Sequence, residues 1–156
     1  MKNNGFTLIE TVVAISLLTV GVVGSFSLMQ KVTAFTSISS SQFVASYLAQ
    51  EGIETIRNIR DTNYLEGQIW DSGIGAGVDF RLDYRSQVFP DATCGNYLRY
   101  SGNFYICSID ANSKFRRQIT IEKPSLDKMV VSVEVSWSER GVSHQVFAET
   151  ELRNWW

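Results

Sequence analysis

The sequence has few of the residues on which most enzymatic chemistry depends. Among its 156 residues are one histidine, two cysteines and two prolines. It has no His-Glu-x-x-His, Cys-x-x-Cys or Gly-x-Ser-x-Gly motif, which excludes the common zinc-peptidase, redox and hydrolase signatures. The histidine, His144, stands near the start of a predicted strand, where a surface position suits it better than the role of a catalytic base. We therefore expect no catalytic residue, no cofactor and no enzymatic activity.

Patterns for binding metal or nucleic acid are also missing. Four aspartates are scattered without EF-hand spacing, at Asp79, Asp83, Asp91 and Asp110. The net charge of −2 and the pI near 5.4 give no general attraction to nucleic acid. Arg116 and Arg117 are neighbours on a predicted strand, so they point to opposite faces and only one can join a given surface. We expect no metal site and no nucleic-acid partner.

Charge is absent from a long stretch near the N-terminus. Between Glu10 and Lys31 lies the 20-residue segment 11–30, which is uncharged and largely apolar. As a helix it would be about 30 Å long, the thickness of the hydrocarbon core of a bilayer. The leading segment is too short for a cleaved secretory signal, so we predict a membrane-spanning helix. Lys2 adds positive charge to the leading side, which predicts a cytoplasmic N-terminus and an exported remainder.

Glu10 is the unusual residue of this region. A carboxylate carried to mid-bilayer costs about 2.5–3.5 kcal/mol on insertion scales, so it needs a partner. The spacing Thr7-x-x-Glu10 fits a capping box, and the side chain could also snorkel to the interface.

The N-terminal residues resemble a known bacterial signal. Lys2-Asn-Asn-Gly5, followed by Phe6-Thr-Leu-Ile-Glu10 and an apolar run, is similar to the class III signal of type IV pilins and pseudopilins. The resemblance implies cleavage after Gly5 by prepilin peptidase and N-methylation of the new terminal Phe6. It also implies that Glu10 pairs with the terminal amine of a neighbouring subunit during filament assembly. A second resemblance, over Leu48–Asp61, is to minor pilins of the modification-protein type and their secretion-system counterparts.

Helical periodicity continues beyond the membrane segment. An apolar stripe is formed by Val44, Ala45, Leu48, Ala49, Gly52, Ile53, Ile56 and Ile59. The opposite, polar face should hold Gln50, Glu51, Glu54, Thr55, Arg57 and Asn58. We predict one helix from about Phe6 to about Arg60. Gly21 and Gly24 either allow bending in its membrane half or permit close packing of helices.

Period-two alternation dominates the second half of the chain. It predicts strands at 80–84, 104–106, 115–121, 129–137 and 144–152, with a hairpin turn at 138–141. Pro124 should lie in a loop between two strands. The run Gly73–Gly77 resembles a phosphate loop only superficially, because it lacks the Lys-Ser/Thr pair, and a flexible loop is favoured. Strands that follow one helix, with no helices between them, imply an α+β fold in which an antiparallel sheet packs on the helix.

This architecture matches the ladle shape of the pilin superfamily. The expected divisions are a leader peptide at 1–5, a membrane or filament-core half-helix at 6–30, an amphipathic half-helix at 31–60, a variable loop at 61–79 and a β head at 80–156. Cys94 and Cys107 both fall in the exported part, where an oxidising compartment favours a disulfide; two free buried thiols are the alternative. The C-terminal pair Trp155-Trp156 either packs on the head or contacts a neighbour.

The resemblance implies a structural subunit, most simply a minor one, of a type IV pilus or similar filament. Its implied partners are other pilin subunits, prepilin peptidase with its N-methyltransferase activity, the pilus assembly platform, and membrane lipid before assembly. A secretion or competence pseudopilin is one alternative, and a membrane-anchored adhesin or DNA-binding module is another. Some pseudopilins bind calcium in a head loop, so a calcium site within Asp79–Asp91 is a further alternative.

Overall fold

The residues that the structure describes form one helix and six strands. The computed structural model describes residue 5 and residues 7–84 and 94–155. The elements in chain order are α1 (Leu8–Leu65), β1 (Gly77–Phe80), β2 (Tyr97–Ser101), β3 (Phe104–Ser108), β4 (Phe115–Ser125), β5 (Lys128–Glu139) and β6 (Val142–Arg153). The chain divides into two compact units, residues 1–40 and 41–156.

The first unit is helical from Leu8 onward and has no core of its own. Nearly every side chain from residue 8 to residue 40 is exposed, including large apolar ones such as Leu18, Phe26 and Phe35. Exposing so continuous an apolar surface to water is unfavourable, and the surface helices of soluble proteins keep a polar face. By length and composition α1 is apolar enough to cross a membrane. This part of the chain is therefore suited to membrane anchoring.

The second unit packs the C-terminal part of α1 against an antiparallel sheet. The strand order is β3-β2-β4-β5-β6, and β1 pairs with β4 beside β2. Alternation decides which side chains meet the helix: the inward residues of β5 are Met129, Val131, Val133, Val135 and Trp137, all buried. The predicted α+β class, the alternation and the hairpin between β5 and β6 are confirmed.

The apolar stripe of α1 forms the other half of the core. Ala45, Ala49 and Ile56 are fully buried against the sheet. Small residues are needed where helix and sheet come closest: a Cβ added at Gly52 would lie 3.1 Å from Val133 Cγ1. The stripe predicted from helical spacing is thus the surface that contacts the sheet.

Several predicted boundaries were wrong. The helix ends at Leu65 rather than near Arg60, and Thr55, assigned to its polar face, is buried. A strand was expected at 80–84, but the strand in this region is β1, which ends at Phe80. The sequence did not predict β2.

Pro124 also departs from its expected position. It belongs to β4 instead of a loop, at the point where the β4–β5 register shifts between Glu122 and Ser125. An irregular stretch of ladder is where a residue without an N–H can be accommodated.

Candidate assembly site

The helix start carries reciprocal hydrogen bonds between Thr7 and Glu10. The Glu10 backbone N–H donates to Thr7 Oγ1 at 3.3 Å, and the Thr7 N–H approaches the Glu10 carboxylate at 3.5 Å. This is the capping-box arrangement, which satisfies helix-start N–H groups that have no partner within the helix. Both residues are exposed, so the carboxylate remains accessible to a further donor. Lys2 and Phe6 lie outside the described residues.

The hydroxyl groups in the first half of α1 form hydrogen bonds within the helix. Each hydroxyl in a set of seven donates to a carbonyl of its own helix three or four residues earlier: those of Thr11, Ser16, Thr19, Ser25, Ser27, Thr33 and Thr36. Such bonds remove the cost of placing a hydroxyl in hydrocarbon. From Glu10 to Glu51 the sequence contains only one other charged residue, Lys31. Glu10 is thus the one carboxylate of this region that needs a partner.

Gly21 leaves a notch on the surface of this apolar segment. The notch is flanked by Leu17, Leu18, Val22, Ser25 and Phe26. Among the described residues, nothing lies within 4 Å of a Cβ added at Gly21 or Gly24. Packing within the single chain therefore does not account for these glycines, whereas small residues on apolar helices are typical of close helix–helix contacts.

In the head, a disulfide joins Cys94, just before β2, to Cys107 of β3. The Cys107 N–H also approaches the buried carboxylate of Asp83 at 3.5 Å. The disulfide and this contact bring the segment after β1 and the β2–β3 hairpin together. The β2–β3 hairpin pairs with β4 over a short stretch. β2 and β4 are joined at only two positions, Tyr97↔Arg116 and Leu98↔Phe115.

The two arginines of β4 point to opposite faces, as predicted. Arg116 is exposed, whereas the side chain of Arg117 is only 2% exposed. The Arg117 guanidinium donates to the Leu48 carbonyl and the Glu51 carboxylate, each at 2.9 Å, and to the Leu82 carbonyl. A buried charge of this kind is tolerated when its donors are satisfied. Arg117 thus connects α1, β4 and the segment after β1, which the sequence did not indicate.

A serine, a lysine and a glutamate meet where α1 enters the second unit. Lys114 Nζ donates to Ser41 Oγ at 2.7 Å, and that hydroxyl donates to Glu139 at 2.8 Å. Ser41 is almost fully buried. The contact therefore joins the helix to β5 and to the residue before β4.

The remaining predicted residues are dispersed. His144, for which the sequence favoured a surface position, is half-buried and stacks on Trp137 with ring centroids 5.3 Å apart. Asp79 binds Asn96 and Arg81, while Asp110 accepts from the Asn112 N–H. Asp91 lies outside the described residues.

No metal or phosphate site is formed where the structure is described. Over residue 5, 7–84 and 94–155, no three His, Cys, Asp or Glu side chains gather as a metal site would require. Gly73–Gly77 leads into β1, of which Gly77 is the first residue, whereas a phosphate loop leads into a helix.

The C-terminal end contacts the distal end of α1. The Trp155 ring lies 6.1 Å from the Tyr64 ring and 5.1 Å from the Arg60 guanidinium. The Trp155 N–H and the Asn154 side chain both bond the Tyr64 hydroxyl. Trp155 nevertheless stays 69% exposed, so it combines packing with an outward aromatic face. Trp156 lies outside the described residues.

Comparison with known proteins identifies the N-terminal region. Residues 1–26 match the family model for the prokaryotic N-terminal methylation motif. No curated protein and no solved structure matches the chain. The motif implies processing by prepilin peptidase and assembly with other pilins. The chain thus carries, on a pilin-like α+β fold, the N-terminal methylation motif characteristic of type IV pilins and pseudopilins.

Proposed function

We propose that the protein is a minor structural subunit of a type IV pilus or pilus-like filament. The observation that carries the proposal is the register of Gly5, Phe6 and Glu10 inside the matched motif. Prepilin peptidase cleaves after Gly5, and the new terminus at Phe6 is N-methylated. Before assembly the subunit is held in the cytoplasmic membrane, with its N-terminus on the cytoplasmic side and its head exported.

Glu10 forms an ion pair with the terminal amine of a neighbouring subunit. Cleavage creates a positive charge at Phe6, four residues from the carboxylate in sequence. In a filament core the two charges are removed from water, and only the paired arrangement is tolerated. Among the described residues, the exposed carboxylate is bound only by the long contact to the Thr7 N–H, which supports this role. Pairing in turn fixes the axial register between subunits.

The apolar half of α1 moves from lipid into the filament core. Its side chains are exposed in the single chain and its hydroxyls are internally bonded, so it suits both environments. The notch at Gly21 provides a place for a neighbouring helix to approach closely. The assembly platform and other pilin subunits are the partners in this step. The resemblance over Leu48–Asp61 supports a minor rather than a major subunit.

A secretion or competence pseudopilin would use the same processing and the same Glu10 pair. The two functions differ in where the methylated subunit accumulates. A pilus subunit is recovered in sheared extracellular filaments, whereas a pseudopilin remains with the cell envelope.

The experiment exchanges Glu10 for a neutral residue of the same shape. We expect Glu10→Gln to abolish incorporation into filaments while the protein remains in the membrane with its head folded. Glu66→Gln, which neutralises an exposed carboxylate just beyond α1, is the matched control and should incorporate normally. Filament and membrane fractions are compared by immunoblot. Normal incorporation of Glu10→Gln would show that assembly does not depend on the Glu10 carboxylate.

A further inference from the structure

β6 forms an open edge of the sheet. It pairs with β5 through twelve consecutive residue pairs, from Lys128↔Arg153 to Glu139↔Val142. In the part of the chain that the structure describes, no strand pairs with its other side. Alternate N–H and C=O groups along that side consequently point away from the sheet. A row of extended backbone groups is a template for another strand.

This edge lacks most of the devices that prevent strand addition, although its outward face carries the charged residues Glu149, Glu151 and Arg153. Proteins protect long edges with proline, bulges, inward-pointing charges or short strand length. β6 has no proline, and its register with β5 is unbroken. Its inward side chains carry no lysine, arginine or carboxylate: His144, Val146, Ala148, Thr150 and Leu152. The opposite edge, β3, has only five residues and is protected by its shortness.

A groove runs beside the open edge and would receive the side chains of an added strand. It has a volume of about 430 Å³ and is lined by Gln50, Ile53, Glu54, Arg57, Ala148, Glu149 and Thr150. Ile53, Val146 and Ala148 are only partly buried, although they pack against the core. The core is therefore incompletely covered at this seam between α1 and β6.

The charges beside the edge indicate the chemistry of the added segment. The Glu149 carboxylate accepts from the Ser132 hydroxyl at 2.9 Å, and no ion pair to it is formed among the described residues. Glu134 lies on the same outward face, opposite Phe147. Two β6 strands paired with each other would bring the glutamates of both copies to one face, and Arg153, the cation on that face of β6, is already paired with Glu151. A basic segment of a different chain is favoured over a second copy.

We propose that the β6 edge accepts an extended, basic segment of another polypeptide as a seventh strand. Small apolar side chains of that segment enter the groove against Ile53 and Ala148, and a lysine or arginine faces Glu149. The backbone of the segment supplies the hydrogen bonds that the open edge lacks. This binding does not depend on polymerisation through the N-terminal helix.

The test uses the full chain in detergent micelles and one synthetic probe, acetyl-Thr-Val-Lys-Val-Lys-Val-Thr-amide. Hydrogen exchange read by mass spectrometry should show the probe slowing β6 amides about tenfold, with β4 unchanged. The same peptide with an N-methylated backbone keeps the side chains but loses the donors, and should give no protection. Ala148→Glu places a charge in the groove and should weaken binding about tenfold. Phe147→Glu, the same change on the opposite face, adds a carboxylate beside Glu149 and should bind the basic probe at least as tightly as the native chain does.

Exchange of the β4 and β5 amides shows whether each variant is folded. If Ala148→Glu unfolds the seam, Ala148→Trp fills the groove without a charge and should give the same loss. The proposal is overturned if the probe leaves β6 exchange unchanged in the native chain. It also fails if the N-methylated peptide protects equally, or if β6 is already protected in a dimer of the chain. None of these outcomes bears on processing at Gly5 or on the role of Glu10.

Discussion

Gly52 of α1 lies directly against Val133 of β5. A Cβ added at position 52 would stand 3.1 Å from Val133 Cγ1 and 3.3 Å from the Arg117 side chain. Real Cβ atoms seldom approach other atoms so closely, which means that the hydrogen side chain of glycine sets the distance between helix and sheet. The helical propensity lost at this glycine, up to about 1 kcal/mol, is offset by the closer packing.

Enlarging residue 52 should therefore destabilise the head. We expect Gly52→Val to lower the free energy of unfolding by about 1–3 kcal/mol, the usual effect of overpacking. Gly52→Ala should cost less, because alanine gains helical propensity while it forces a smaller shift. Gly75→Ala is the control, since nothing lies within 4 Å of a Cβ at that position. Urea titration in detergent measures the differences, and a Gly52→Val chain as stable as the native one would refute the contact.

Arg117 should be far more sensitive to substitution than its neighbour Arg116. Arg117→Met removes a buried guanidinium bonded to Leu48, Glu51 and Leu82. We expect a loss of about 1.5–3 kcal/mol, the range for hydrogen bonds to charged groups, since water can reach the partly exposed Glu51. Arg116→Met should stay within about 0.5 kcal/mol of the native chain. Equal effects of the two substitutions would contradict the buried role of Arg117.

A double-mutant cycle isolates the Arg117–Glu51 pair. Glu51→Gln alone leaves the guanidinium with its two carbonyl acceptors. Because the residues are in contact, Arg117→Met and Glu51→Gln together should cost less than the sum of the single changes. Strict additivity would show that the pair contributes no coupling energy.

Loss of the Cys94–Cys107 disulfide should loosen the β2–β3 hairpin. The bond closes a loop of 13 residues, for which chain entropy predicts a stabilisation of about 3 kcal/mol. Replacing both cysteines by serine should lower stability by that order and speed hydrogen exchange in β2 and β3 more than in β5. In the native chain, maleimide should label the thiols only after reduction. Labelling of an unreduced chain would show free cysteines.

Acid should destabilise one end of the sheet, where β5 begins and β6 ends. This end lies next to the turn that contains Asp127. The hydrogen bond from Lys128, and after it that from Arg153, lowers the pKa of the Glu151 carboxyl below its ordinary value near 4.5. Its stabilising effect is therefore complete above pH 4.5 and is lost as the pH falls through the lowered pKa. Asp127, whose pKa is lowered first by the Ser125 hydroxyl, adds in the same direction.

Glu151→Gln should flatten this pH dependence, because the amide does not titrate. Salt should reduce the native effect as well, since these groups lie at the surface, where ions screen them. Glu66→Gln, remote from this cluster in sequence, serves as the charge control. Thermal melting from pH 6 down to pH 3 gives the measurement, and a pH profile for Glu151→Gln that is identical to the native profile would exclude the contribution.

Local patterns predicted much of the fold. The stripe through Ala45, Ala49 and Ile56 repeats at helical spacing, and the alternation from Met129 to Trp137 defines one buried face, so both could be read from the chain. The turn at Arg140-Gly141 was visible for the same reason, and both residues adopt positive φ. These features depend on neighbours in sequence.

Features made by distant residues could not be predicted. Arg117 meets Leu48 and Leu82 across 69 and 35 residues of chain, and no spacing rule signals such a contact. β2 is five residues long with one fully buried side chain, Leu98, so it shows little alternation. The open edge of β6 likewise depends on strand order. At the helix start, the capping box of Thr7 and Glu10 was one of the arrangements that their spacing suggested, because such a contact is local.

Mass spectrometry of the N-terminal peptide tests the central claim most directly. The peptide is compared between sheared extracellular filaments and the membrane fraction. We predict that the mature chain begins at N-methylated Phe6 and that this form is found in filaments, in small amounts relative to the major subunit. Methylated Phe6 confined to the membrane fraction would instead indicate a pseudopilin. An intact Met1 in cells that process other prepilins would contradict the account built on Gly5, Phe6 and Glu10.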